Sequence, residues 1–157
     1  MANINCGFGD FWVEHALTCV PEEVAQVHHE RLAFVSMPNS DARRLTPKFT
    51  EGRHVIVLSE RIVPRRHVNE SSPEVRYFVF AILHEVAHAV LDHRPPSEIS
   101  FEENERQEQE ANELAFQWFN DALAGKAHPD IPPFTTDELA AAQAKTRAEM
   151  LAAPDRA

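Results

Sequence analysis

Residues 72–93, SPEVRYFVFAILHEVAHAVLDH, constrain the fold more than any other stretch of the chain. Ser72 suits a helix N-cap, Pro73 fits the first helical position, and Glu74 meets the positive end of the helix dipole in the first turn. The helix these residues predict runs to about His93, where RPP stops it. Its apolar part, Tyr77–Leu91, is too short to cross a bilayer and therefore belongs in a core. Yet His84, Glu85 and His88 interrupt it. A buried polar group without a partner costs about 1–3 kcal/mol. Three such groups within five residues require a shared partner, and a metal ion satisfies them all.

The spacing names the chemistry. His84 and His88 are four apart and stand one turn above the other on a helix. Two imidazoles so placed can bind one zinc ion through nitrogens at about 2.0–2.1 Å. Glu85 is turned about 100° from His84, within reach of a water on the metal but poorly set to be a ligand. The arrangement is HExxH, with Glu85 as general base. A catalytic zinc needs a third protein ligand and an open fourth position. In EQEANELA, Glu108 shares a helix face with Asn112, so Glu108 can bind zinc while Asn112 hydrogen-bonds a ligand histidine. Glu110, about 200° round from Glu108, is the alternative ligand. His93 is one residue short of the HExxHxxGxxH spacing, with Leu91 in place of the turning Gly, and reads as a helix C-terminal residue facing the dipole. Cys6 and Cys19 lie in no ligand pattern. The plain alternatives are a satisfied histidine pair and, for any one glutamate, a solvated face, since residues 97–113 carry seven Glu against one Arg.

The rest of the chain supplies the frame. PEEVAQVHHERLA (21–33) opens as a helix, RLAFVSMP continues as a short strand, and HVIVL (54–58) is a β-branched, apolar strand. SERIVPRRHVNESSP is a polar loop long enough to suggest a functional role. Ser100 with Glu103 forms a capping box for a helix from 101 to about 124, closed by Gly125. After the Pro-rich connector KAHPDIPPF, Thr135 and Glu138 cap an Ala-rich helix to about 152. These elements predict an α+β fold with a small sheet packed on the HExxH helix and a second, ligand-bearing helix. They divide into a domain over 1–125 and a connector with a C-terminal helix over 126–157. A net charge of -10 argues against nucleic acid or membrane as the partner. The two cysteines make no disulfide framework, and the N-terminus lacks a signal-peptide pattern, so a cytoplasmic setting is expected.

The strand HVIVL, the helix VRYFVFAILHEVAHAVLDH and the following EQEANELAF together resemble the ImmA/IrrE family of zinc metallopeptidases over about residues 50–120. The resemblance implies a compact zincin-like domain with His84, His88 and Glu108 as ligands and Glu85 as catalytic base. It also implies intracellular, regulated cleavage of a protein partner, often a helix-turn-helix repressor. The chain departs from the family after the second helix, where FQWFNDALAGKAHP replaces a leucine-rich run ending in Met-Pro.

Three further expectations concern substrate. Tyr77 lies two turns before His84 on the same face, where its hydroxyl can stabilise an oxyanion or simply line the core. Phe116, Trp118 and Phe119 read as core aromatics. The strand His54, Val55, Ile56, Val57 and Leu58 can pair with an extended substrate as an open edge. It is bracketed by a stretch, 41–67, with seven Lys or Arg against three acids. The whole reads as a zinc metalloendopeptidase acting on a protein. One rival is a deformylase-like HExxH amidase, whose Asp before the second His and Cys-bearing EGCLS-like segment are missing here. The other is a zinc-stabilised interaction module, which would have no use for Glu85 and would close all four metal positions.

Overall fold

Hydroxyl caps start the three long helices where the sequence places them. In a computed structural model, which describes residues 1–38, 43–45 (as backbone), 51–65, 68–126 and 131–152, the chain runs β1 (Asn3–Asn5), α1 (Asp10–Leu17), α2 (Glu22–His28), β2 (Leu32–Met37), β3 (Arg43–Leu45), β4 (His54–Ser59), α3 (Pro73–Val90), α4 (Phe101–Gly125) and α5 (Thr136–Ala152). Ser72 Oγ accepts from the Val75 N–H at 3.4 Å, Ser100 Oγ from Glu103 at 3.1 Å and Thr135 Oγ1 from Glu138 at 3.1 Å. Each satisfies one N–H that the first turn leaves without a helical partner.

The end of α3 differs from the expectation. It closes at Val90, before RPP, through paired reverse bonds: Asp92 N–H to the Ala89 carbonyl at 3.2 Å and His93 N–H to the His88 carbonyl at 3.0 Å. This is a Schellman ending, with Asp92 at φ 53 in the left-handed position that glycine usually fills. Leu91 in place of Gly therefore does not prevent the chain from turning; the turn comes one residue later. α2 also stops early, because Leu32 and Phe34 are claimed by the core as inward residues of β2.

The sheet has the order β1-β2-β4-β3. β1 and β4 flank β2 in parallel, and β3 runs antiparallel on the far side of β4, with Leu45 opposite Val55 and Arg43 opposite Val57. α3 buries Val75, Phe78, Val79, Ile82, Leu83 and Val86 in one core shared with α1, β2, β4 and α4. α4 packs on α3 with Ala111 and Ala115 fully buried, and these small side chains let the two helices approach closely. The core is thus α+β, with α3 running through it. Trp118 and Phe119 are buried and Phe116 packs against the core, as expected of core aromatics.

The segment after α4 joins the same core. Phe134 stacks on Phe80 and Phe119 with ring centroids 5.1 and 5.3 Å apart. The Asn120 side chain bonds both backbone groups of Phe134, accepting at 2.7 Å and donating at 3.1 Å. The buried Arg76 guanidinium donates to both Glu138 oxygens at 2.6 and 3.0 Å, which fixes the start of α5 to α3. Among the described residues, no helix is long and apolar enough to cross a membrane.

Candidate metal centre

The close approach of α3 and α4 brings His84, His88 and Glu108 to one point. His84 Nε2 and His88 Nε2 are 3.1 Å apart; Glu108 Oε2 is 3.3 Å from the first and Glu108 Oε1 is 3.1 Å from the second. Tetrahedral ligands held about 2.0–2.1 Å from a zinc ion stand about 3.3–3.4 Å from one another. The two imidazole nitrogens are close to that separation, each has one Glu108 oxygen at a similar distance, and the set of two imidazoles and a carboxylate suits zinc chemically. Among the described residues, these three form the group able to hold a metal. Cys6 and Cys19 stand outside it. Burial pushes both thiols up, Cys6 to about 11, which makes them reluctant thiolate ligands.

The outer ring nitrogens are held as well. His84 Nδ1 lies 2.8 Å from Asn112 Oδ1, and because that oxygen can only accept, Nδ1 carries the hydrogen and, in the neutral ring, Nε2 keeps its lone pair for the cleft. His88 Nδ1 lies 2.8 Å from Nδ1 of His93. His93 Nε2 is in turn 3.0 Å from Glu110 Oε2, and Arg106 donates to the other Glu110 oxygen. Glu110 thus faces His93, away from the point where Glu108 meets the two histidines. His93 is buried, and the Schellman turn folds its ring beneath His88. Its part was invisible in the sequence pattern, although a His five residues after a helical His, across a helix end, is the signal such a turn leaves.

Charge at the site follows the geometry. Without a metal, His84 and His88 can protonate at Nε2 as well, and hydrogen bonds from the charged rings hold the Glu108 carboxyl well below the usual carboxylate range, against the opposing effect of its partial burial. For His84, burial favours the neutral ring. The hydrogen bond to Glu108, the charges of Glu85 and Glu108, and the Asn112 contact together outweigh it and raise the pKa above 6.5.

Glu85 is buried to 8 % exposure and opens onto a cleft of about 230 Å³. Tyr77, Phe80 and His84 line the same cleft from α3, Glu108 and Asn112 from α4, and Ile62 from the loop before α3. The far wall is α5, through Leu139, Gln143 and Thr146, spaced to share one helical face. Tyr77 is therefore brought to the site, as its two-turn offset from His84 predicts.

The strand His54–Leu58 is placed differently. It lies inside the sheet as β4, and β3 takes the side of Val55, Ile56 and Val57 that was expected to be an open edge. The continuous run VIVL carried the signal: internal strands covered on both faces lack polar alternation. Of the basic stretch 41–67, residues 41–42, 46–50 and 66–67 and the side chains of 43–45 lie outside the described residues.

A family model described as an IrrE N-terminal-like domain, of a peptidase family, matches residues 25–118, more than half of the chain. No curated protein and no solved structure matches. The matched region contains β2, β4, α3 and the part of α4 that bears Glu108 and Asn112; α5 lies beyond it.

Proposed function

The chain belongs to the IrrE N-terminal-like family of peptidases, and on that premise we propose that it is a zinc-dependent endopeptidase cutting a regulatory protein inside the cell, of the helix-turn-helix repressor kind. One observation carries the reading. His84 Nε2, His88 Nε2 and Glu108 converge at 3.1–3.3 Å beside Glu85, in a cleft open to substrate.

His84, His88 and Glu108 would hold the metal. A zinc ion held there would supply Lewis acidity for hydrolysis. Glu85 takes the proton of the attacking water and passes it to the departing amine nitrogen as the C–N bond breaks. Asn112 keeps the His84 lone pair aimed inward by accepting from Nδ1. The Tyr77 hydroxyl donates to the oxyanion that forms on the carbonyl. Because β4 is internal, main-chain pairing with an extended substrate falls to β3, the outermost strand on that side among the described residues. The seven glutamates of residues 97–113, which flank Glu108, favour a basic partner.

The test incubates a helix-turn-helix repressor with the wild type and with Glu85→Gln, each with and without zinc. Cleavage should require zinc and should vanish in Glu85→Gln. Equal zinc-dependent cleavage of unrelated unfolded proteins would replace the reading with a general peptidase. Efficient formate release from N-formyl peptides would give the case to an amidase.

A further inference from the structure

We propose that His93 and Glu110 are positioning residues of the metal centre: together they set which nitrogen of His88 carries the hydrogen, and so point the His88 lone pair at the metal position. The inference rests on the reading of His84, His88 and Glu108 as metal ligands.

Hydrogen counting leads to it. The contact between His88 Nδ1 and His93 Nδ1, at 2.8 Å, holds a single hydrogen, since one nitrogen must donate and the other accept. If His93 donated, His88 would accept at Nδ1 and carry its hydrogen on Nε2, which faces His84 and Glu108, and that lone pair would be lost to a metal. Glu110 decides between the two arrangements. Its carboxylate can only accept, so at 3.0 Å it requires a hydrogen on His93 Nε2 and, in the neutral ring, leaves His93 Nδ1 as the acceptor. His88 must then donate from Nδ1, and its Nε2 is free to bind. Arg106 donates to the other Glu110 oxygen and keeps the carboxylate turned toward His93. Asn112 does the same service for His84 in one step. The turn at Asp92 makes this possible, since the His93 N–H bond to the His88 carbonyl brings the two rings together.

The substitution Glu110→Gln tests the direction of the relay with almost no change in shape. With its oxygen held by Arg106, the new amide nitrogen faces His93 Nε2 and donates to it, so the hydrogen of His93 moves to Nδ1 and the preference of His88 is reversed. Zinc affinity of the metal-stripped full chain would be measured by competition with a chromophoric chelator. Glu110→Gln and His93→Leu should each bind zinc about 10–100-fold more weakly than the wild type. His93→Asn, whose oxygen can accept from His88 Nδ1–H, should recover most of the loss. Nitrogen-15 spectra of the zinc-loaded wild type should show His88 with its hydrogen on Nδ1 and His93 with its hydrogen on Nε2. Zinc binding within twofold of wild type in both Glu110→Gln and His93→Leu, or the opposite pattern of hydrogens, overturns the relay while leaving the ligand assignment intact. A wild type that takes up no zinc overturns the ligand assignment and the relay with it.

Discussion

Glu85, Glu108 and Glu110 are three carboxylates within two helices, and their surroundings give them different work. Glu108 meets both His84 and His88, so Glu108→Ala should weaken zinc binding more than Glu110→Ala, in a chelator titration. Glu85→Gln should keep zinc content and thermal midpoint near wild type while turnover falls at least 10²-fold, because an amide cannot accept the proton of the attacking water. With metal stripped, the same residues set a pH window for stability. The depressed Glu108 pKa contributes stability that is full above the ordinary value of 4.5 and is lost as pH falls through the folded value. The raised His84 pKa contributes stability that is full below 6.5 and is lost as pH rises through the folded value. The melting midpoint of metal-stripped protein should therefore be best supported between those two values, and Glu108→Gln should flatten the profile. At this scale the sequence was legible where chemistry and helical period coincide, as at His84, Glu85 and His88. It was opaque at His93, whose position depends on the left-handed Asp92 and on a partner seventeen residues away on another helix.

Between elements, His84, His88 and Glu108 converge because α3 and α4 approach over Ala111 and Ala115. Ala111→Leu should overpack that contact, cost about 1–3 kcal/mol of stability and reduce zinc affinity, although residue 111 touches no metal. The anchor of α5 makes a second prediction. Arg76 is buried under Glu138, with its guanidinium 5.8 Å from the Phe119 ring centroid and 5.7 Å from that of Phe134. Glu138→Ala removes the partner of a buried cation and should lower stability by about 1–3 kcal/mol in a denaturant titration, less than for a fully buried pair because Glu138 is partly exposed. The helix starts were readable because capping is local: Ser72, Ser100 and Thr135 each bond a nearby N–H. The three-residue strands β1 and β3 and the short α1 were not, because three residues such as NIN carry no period, and only a neighbouring strand makes them a strand.

Across the whole molecule, charge and sheet order bear on how substrate arrives. With a net charge of -10 and seven glutamates around the Glu108 segment, association with a basic protein should slow as salt rises, in stopped-flow mixing with Glu85→Gln. The neighbours of β4 were not legible in its sequence, since which strand lies beside HVIVL is decided by residues far from it in the chain. The cleft has the same divided authorship. Its metal-facing wall comes from the region that matches the family, and its opposite wall from Leu139, Gln143 and Thr146 of a helix outside that region. On the proposed function, the power to break a bond and the choice of which bond to break are written in separate passages of the chain. Rewriting one seventeen-residue helix would, on that reading, change what the protein selects while leaving His84, Glu85, His88 and Glu108 as they are.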